Sequence, residues 1–174
     1  MQELTAQDAN LLRQTYLGTL KVESRLTKAI LSAVPADKAE YRPDSVSKTA
    51  LELVKHIAGA DNRFVEAVTT GVFNFGPAIP DTAKTPAEIA AWYEERYAKN
   101  FEALVQATPE QLVKVLDFRG MIQRPAVTFL MMGLHHTIHH RGQLSSYLRS
   151  MGAKVPAIYG ESYDSAEAKK AAQA

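Results

Sequence analysis

The feature that most constrains the fold is a helix-start signal that recurs along the chain. In each case a Thr is followed three residues later by Asp, Glu or Gln, a pair that caps the N-terminus of a helix. Apolar residues then recur at spacings of three and four, the period of a helix with one buried face. No segment alternates like a half-buried strand, so the pattern predicts an all-α protein. The four signals are Thr5/Asp8, Thr49/Glu52, Thr85/Glu88 and Thr108/Gln111.

These signals predict a four-helix bundle with one additional short helix between the third and fourth long helices. Proline is accepted in the first turn of a helix but not in its interior, and glycine commonly follows the last residue. Pro125 is therefore predicted to begin the last long helix and Gly152 to close it. The other predicted limits are a first helix ending at Pro35, a second over 49–70, a third from Thr85 and a short helix from Thr108.

Three segments lack the helical pattern. Residues 71–82 place two glycines and two prolines among aromatic residues, which predicts an irregular linker that packs on the bundle and walls a pocket. Residues 117–124 are predicted to be briefly extended. The C-terminal end is rich in Ala, Lys and Glu without an apolar stripe. We therefore expect a single domain at 1–163 and a flexible or frayed tail at 164–174.

Length and composition narrow the classes of function. The 174 residues, 46% of them hydrophobic, suffice for one core, and a net charge of +1 without a basic run argues against nucleic acid as a partner. No apolar stretch approaches the roughly 20 residues that cross a bilayer, and no export signal is recognisable, so we expect a cytoplasmic protein without a membrane partner. Cysteine is absent. Any thiol chemistry therefore requires an external thiol.

Histidine is unevenly distributed, because four of the five histidines fall between His135 and His140. In a helix, residues four apart lie on one face. The run therefore separates into two pairs. One pair is His135 with His139, and the other is His136 with His140. Either pair can chelate a metal ion, so the choice between them depends on the face of the helix on which each pair lies.

The apolar stripe of the last helix separates the two pairs. His136 and His140 lie on the shoulder of this stripe, where side chains point along the bundle interior. They are the candidate ligand pair, the alternative being that neighbouring carbonyls satisfy their ring nitrogens. His135 and His139 lie on the polar side and are interpreted as surface residues. The predicted stripe consists of Leu130, Leu134, Ile138, Leu144 and Leu148.

His56 is the remaining histidine and lies on the shoulder of the apolar face of the second helix, beside Leu53 and Ala60. From there it could supply a third ligand from a facing helix. The sequence has neither the His-Glu-X-X-His pattern of a metalloprotease nor the Glu-X-X-His pairs of a di-iron bundle. A site for one metal ion is therefore predicted.

Two motifs carry a resemblance to a known family: LVKHIA at 53–58 and HTIHHRGQL at 136–144. With the closing run at 147–160, they make the sequence resemble the DinB/YfiT-like superfamily of four-helix-bundle metalloproteins over nearly the whole chain. One departure is His135, where members often have Asn, and it leaves the ligand positions intact. Arg141 and Gln143 belong to the motif and are interpreted as structural hydrogen-bonding residues at a helix surface, between helices or in a dimer. No catalytic role is assigned to them.

The resemblance implies that His56, His136 and His140 hold one divalent metal ion and leave a coordination position open. Three neutral imidazoles suit Zn²⁺ or Ni²⁺, and the ligand type does not choose between these ions. The resemblance further implies a thiol-dependent transferase or isomerase that acts with a low-molecular-weight thiol on a small electrophile. The alternative is a non-enzymatic metal-binding or stress-associated protein of the same fold. A homodimer is expected, without a defined interface.

Overall fold

All four predicted capping pairs begin a helix in the computed structural model, which describes residues 4–173. In each pair the Thr hydroxyl accepts the backbone N–H three residues on, and the side chain of that residue accepts the Thr N–H. The helix starts predicted from these four capping pairs are therefore confirmed. The helices are α1 Ala6–Ser32, α2 Ala50–Thr70, α3 Pro86–Gln106, α4 Pro109–Val113, α5 Thr128–Ser150 and α6 Tyr163–Ala171, and the strands are β1 Val115–Phe118 and β2 Ile122–Pro125.

The four long helices, α1, α2, α3 and α5, form the bundle that the sequence predicts. Helix α2 is the central member, because thirteen of its 21 residues are buried and it packs against both α3 and α5. Helix α1 covers the other side of the same two helices, and the short α4 lies across α1 and α2. Within residues 4–173, every helix is too short or too polar to cross a membrane.

Helices α2 and α5 approach each other closely at Gly133. A Cβ atom at this position would lie 2.6 Å from the Cβ of Phe64, closer than two such carbon atoms can pack. Gly133 therefore lets the backbone of α5 rest on the Phe64 side chain of α2. This contact sits one turn before His136 and sets the distance between the two helices that carry the histidines.

A small antiparallel hairpin interrupts the helical chain between α4 and α5. Strand β1 pairs with β2 from Val115↔Pro125 to Phe118↔Ile122, so the predicted extended segment is confirmed. The turn places Arg119 and Gly120 at φ 59° and 70°, and Arg119 is the one non-glycine residue with positive φ among residues 4–173. A left-handed conformation costs a residue with a Cβ roughly 1–2 kcal/mol. The hairpin holds Arg119 in this conformation.

The predicted start of the last long helix at Pro125 is wrong, because α5 begins at Thr128. Pro125 instead ends β2, and the backbone N–H of the next residue, Ala126, donates to the carbonyl of Lys114 at 2.8 Å. The chain cannot turn into a helix until it leaves this pairing. The hydroxyl of Thr128 then donates to the carbonyl of Pro125 at 2.7 Å.

The C-terminal stretch, expected to be a frayed helix or a flexible tail, contains helix α6. Ser162 and Ser165 cap its N-terminus reciprocally, a pairing that the Ala- and Lys-rich composition conceals. Asp164 fastens the helix to the bundle, since its carboxylate accepts from Arg149 at 2.7 Å and from the backbone N–H of Val155 at 2.9 Å. The first turn of α6 is thus tied to the end of α5.

The close contact at Gly133 predicts an asymmetry between two glycines of α5. Gly133→Ala should lower the free energy of unfolding by about 1–3 kcal/mol, because the added methyl group overpacks the contact with Phe64. Gly142→Ala is the matched control, since nothing lies within 4 Å of its added Cβ, and it should raise stability by up to about 1 kcal/mol. Urea unfolding of both variants measures the difference, and equal stabilities would contradict the close packing.

Candidate metal centre

Three histidines from two helices converge at one point of the bundle. His56 extends from α2, and His136 and His140 extend from successive turns of α5. One ring nitrogen from each lies within 4.8 Å of the other two, and the Nε2 atoms of His56 and His140 are 3.0 Å apart. Two nitrogens bound tetrahedrally to one zinc ion lie about 3.3 Å apart. The spacing therefore fits a single small ion at the centre of the three rings.

The other two histidines lie outside this cluster. His135 and His139 are exposed, so the prediction that the polar side of the helix carries them is confirmed. The predicted apolar stripe is correct only in part, because Leu134 and Ile138 are half-buried. The fully buried seam of α5 is rotated away from them and includes polar side chains. It consists of Phe129, Leu130, Gly133, Thr137, Arg141, Leu144 and Leu148.

Gln143 orients one of the three rings. Its Oε1 lies 2.6 Å from Nδ1 of His140, and a carbonyl oxygen can only accept, so Nδ1 carries the proton. The lone pair of His140 is then on Nε2, the atom that faces His56. A hydrogen bond of this kind fixes the tautomer and direction of a metal-binding imidazole. The sequence analysis missed this contact, although the spacing of three residues within one helix places the two side chains together.

His136 has an unsatisfied ring nitrogen. Its Nδ1 is buried and has no hydrogen-bond partner among residues 4–173. Buried polar atoms in folded proteins are almost always paired, and an exception commonly indicates a partner supplied from outside the chain. Together with the all-imidazole donor set, this atom fits a divalent ion bound at the cluster.

Burial keeps two of the rings neutral. Removal from water, assisted by the neighbouring ring of His140, lowers the pKa of His56 and of His136 from 6.5 to about 4 in each case. At neutral pH these imidazoles therefore retain the lone pairs that a metal ion requires. Protons and a metal ion would compete for the same nitrogen atoms only at acidic pH.

A buried carboxylate joins three helices of the bundle. Asp61 of α2 accepts hydrogen bonds from the Tyr93 hydroxyl of α3 at 2.6 Å and from the Thr137 hydroxyl of α5 at 3.0 Å. Its burial raises its pKa to about 6, against the lowering effect of these two hydrogen bonds. Thr137 directly follows His136, so this tie positions the ligand-bearing turn of α5. The sequence analysis did not identify Asp61.

Arg141 acts between helices within the chain. Its side chain is only 1% exposed and forms an ion pair with Glu23 of α1, while the Tyr159 hydroxyl lies 2.6 Å from the same guanidinium. Of the structural roles predicted for Arg141, the contact between helices is confirmed and the location at a helix surface is wrong. The guanidinium faces α1, away from the histidine cluster, so its role is to join α5 to α1.

A pocket of about 300 Å³ opens beside the cluster. His56 and His136 form part of its wall, and a second space of about 520 Å³ adjoins His56 along the linker between α2 and α3. The linker thus walls a pocket, as predicted from its aromatic residues. The remaining side chains around the first pocket are Ala60, Arg63, Phe64, Phe75, Phe118, Arg119 and Met132.

Comparisons with known proteins agree with this fold. The family model of the DinB family matches residues 5–172. YjoA of Bacillus subtilis is 29% identical over 129 residues, which are 73% of this chain and 82% of YjoA. YrdA of the same organism is 27% identical over 150 residues, 83% of this chain and 86% of YrdA.

Two solved structures show the same arrangement of helices. The crystal structure of the DinB-like protein YjoA from Bacillus subtilis superposes with a TM-score of 0.70 at 26% identity, covering 85% of this chain and 99% of that one. A DinB-like protein from Bacillus cereus gives a TM-score of 0.69 at 24% identity over 84% of this chain and 97% of that one. Because the Bacillus cereus protein is only 24% identical, its similarity to this chain concerns the fold alone.

The lowered pKa values predict how the stability of the metal-free protein changes with pH. Because His56 and His136 bind protons less readily when folded, protonation favours the unfolded chain, and stability should fall as the pH drops from 6.5 towards 4. The His56→Gln/His136→Gln variant should show a smaller fall. Asp61 opposes the trend in both proteins equally, because its raised pKa favours the folded state in acid.

Urea unfolding at several pH values, with a chelator present, measures this difference. His135→Gln/His139→Gln is the matched control, because both of its histidines are exposed, and it should retain the wild-type slope. An identical pH dependence in all three proteins would show that the clustered histidines are not the groups concerned.

Proposed function

The chain belongs to the DinB family, and we propose that it is a metal-dependent enzyme in which His56, His136 and His140 bind one divalent ion. The observation that carries this proposal is the convergence of three ring nitrogens at the wall of a pocket of about 300 Å³. Ligand pockets for small molecules commonly begin at this size. A metal ion held here would face a space that a substrate can enter.

The donor set favours zinc or nickel. Imidazole nitrogens suit both ions, and three protein ligands leave the open position that is typical of catalytic sites. Gln143 holds the His140 ring in the tautomer that directs Nε2 towards the other ligands. Imidazole ligands carry no negative charge, so the full positive charge of a bound ion would act on whatever enters the pocket.

The reaction that we propose is transfer of a low-molecular-weight thiol to a small electrophile. A bound divalent ion with an open position lowers the pKa of a thiol or water molecule that coordinates it. The chain contains no cysteine, so the sulfur must come from a second substrate. In this reaction the thiol would lose its proton to solvent and its sulfur would bond to a carbon of the electrophile, whose leaving group departs with the electrons of the broken bond. The aromatic side chains of the pocket wall would limit the access of water to the electrophile.

A non-enzymatic metal-binding or stress-associated protein is the second candidate. Such a protein needs the three histidines but has no need of a cavity beside them. The pocket bordered by His56 and His136 is large enough for a small substrate, and this observation favours an enzyme. The two candidates share the metal site and differ in turnover.

Metal content tests the site itself. The purified protein should bind about one equivalent of Zn²⁺ or Ni²⁺, and His140→Ala should lose most of it because two ligands hold an ion far less tightly than three. His139→Ala is the matched control, since it removes an adjacent but exposed histidine and should retain the metal. Elemental analysis after dialysis measures the content. Equal metal content in His140→Ala and wild type would refute the site.

Turnover tests the reaction. The Zn²⁺- or Ni²⁺-loaded protein should accelerate addition of small thiols to an activated aryl chloride, with the coloured thioether product followed by absorbance. The rate should fall to the uncatalysed level with His140→Ala and remain unchanged with His139→Ala. Metal binding without acceleration across a panel of thiols and electrophiles would favour the non-enzymatic candidate.

A further inference from the structure

The pocket beside the histidines is positively charged. Arg63 from α2 and Arg119 from the hairpin turn both border it, and no acidic side chain does. Within residues 4–173, neither guanidinium has a carboxylate within ion-pair distance. Glu66 raises the pKa of Arg63 through its charge, but its carboxylate is already paired with Arg96 at 2.5 Å. The positive charge of the pocket is therefore uncompensated.

Both guanidinium groups lie against the same aromatic ring. The Cζ of Arg119 is 4.3 Å from the centroid of the Phe75 ring, and that of Arg63 is 5.7 Å away. The charge of Arg119 and burial both lower the pKa of Arg63, with burial the larger cause. Two like charges held near one ring repel each other, and an anion between them would relieve that repulsion.

The backbone holds each arginine where it is. Arg63 donates from Nε to the carbonyl of Asn74 at 2.7 Å and from Nη2 to the carbonyl of Gly76 at 3.0 Å, which fixes the linker to α2. Arg119 has a positive φ in the hairpin turn, a conformation that a long side chain rarely adopts. Non-glycine residues in this region cluster at ligand-binding sites. The turn thus places a cation at the pocket on the Phe75 ring, and no carboxylate within residues 4–173 pairs with it.

The remainder of the pocket wall is apolar. Phe64 and Phe118 stack with their ring centroids 5.8 Å apart, and Phe75 lies 5.4 Å from Phe118. Met132 completes this side. Arg63 follows His56 by seven residues, about two turns of α2, so the arginines and the histidine cluster border different parts of the pocket wall.

From this arrangement we infer that the pocket binds a small organic carboxylate with an apolar body, whose carboxylate contacts Arg119 and Arg63 and whose body packs on the phenylalanines. A guanidinium recognises a carboxylate through two parallel hydrogen bonds. The opposite end of the molecule then lies beside His56 and His136. The inference rests on the proposed function, because it names the class of electrophilic substrate for the same site.

Binding of a matched pair of probes tests the inference. Phenylpropionate and its neutral amide, phenylpropionamide, have the same apolar body and differ in charge. Their dissociation constants are measured by NMR titration of the metal-free protein with a chelator present. The wild type should bind the carboxylate more tightly than the amide, and Arg119→Gln should weaken carboxylate binding about tenfold without changing amide binding.

The control variant is Arg124→Gln, which removes an exposed arginine of the same hairpin that lies outside the pocket wall and should leave both affinities unchanged. Arg119 is preferred to Arg63 for substitution, because Arg63 also holds the linker. Equal affinities for the two probes, no binding of the carboxylate at millimolar concentration, or the same carboxylate affinity in Arg119→Gln and wild type would each overturn the inference.

The absence of metal in this titration separates the inference from the proposed function. A charge preference that depends on Arg119 supports the carboxylate site even if the metal analysis fails. Metal binding and turnover without any charge preference would leave the proposed function intact and refute the carboxylate site.

Discussion

The buried carboxylate of Asp61 is the interaction on which the arrangement of the bundle depends. It accepts one hydroxyl from α3 and one from α5, so three of the four long helices meet at a single side chain. Burying a polar group costs free energy unless the group is fully hydrogen-bonded. A shift of one helix along another would break a hydrogen bond to Asp61, so this cost selects one helix register over the alternatives. Because Thr137 adjoins His136 and Asp61 lies five residues after His56, the same register brings the histidines together.

Local signals in the sequence predict most of the helices, and non-local pairing accounts for the main error. Each capping pair lies within one helical turn, so its effect does not depend on the rest of the chain. Pro125 carries an equally good local signal for a helix start, but backbone pairing with the segment after α4 overrides it. At α6 the composition does not reveal what holds the helix, which is capped by Ser162 and joined to the end of α5 by Asp164.

The cluster of three histidines follows from helical phase, whereas the groups that support it do not. The helical period predicts which face of a helix a residue occupies, and this is enough to separate His136 and His140 from their exposed neighbours. Phase does not state how deeply a polar residue is buried, because that depends on partners from other helices. Asp61 and Arg141 resemble ordinary surface residues in the sequence, although Asp61 has a partner 76 residues away and Arg141 has one 118 residues away.

Some residues of the pocket wall lie on helices and others on loops, and substitutions in one group need not affect the other. All three histidines stand on α2 and α5, which the bundle holds rigidly, whereas Phe75 and Arg119 stand on a linker and a hairpin turn. Loops tolerate insertion and substitution far better than packed helices do. Exchange of these two loops would therefore change the pocket wall and leave the positions of the histidines unchanged, so a shared histidine set is a poor guide to a shared substrate.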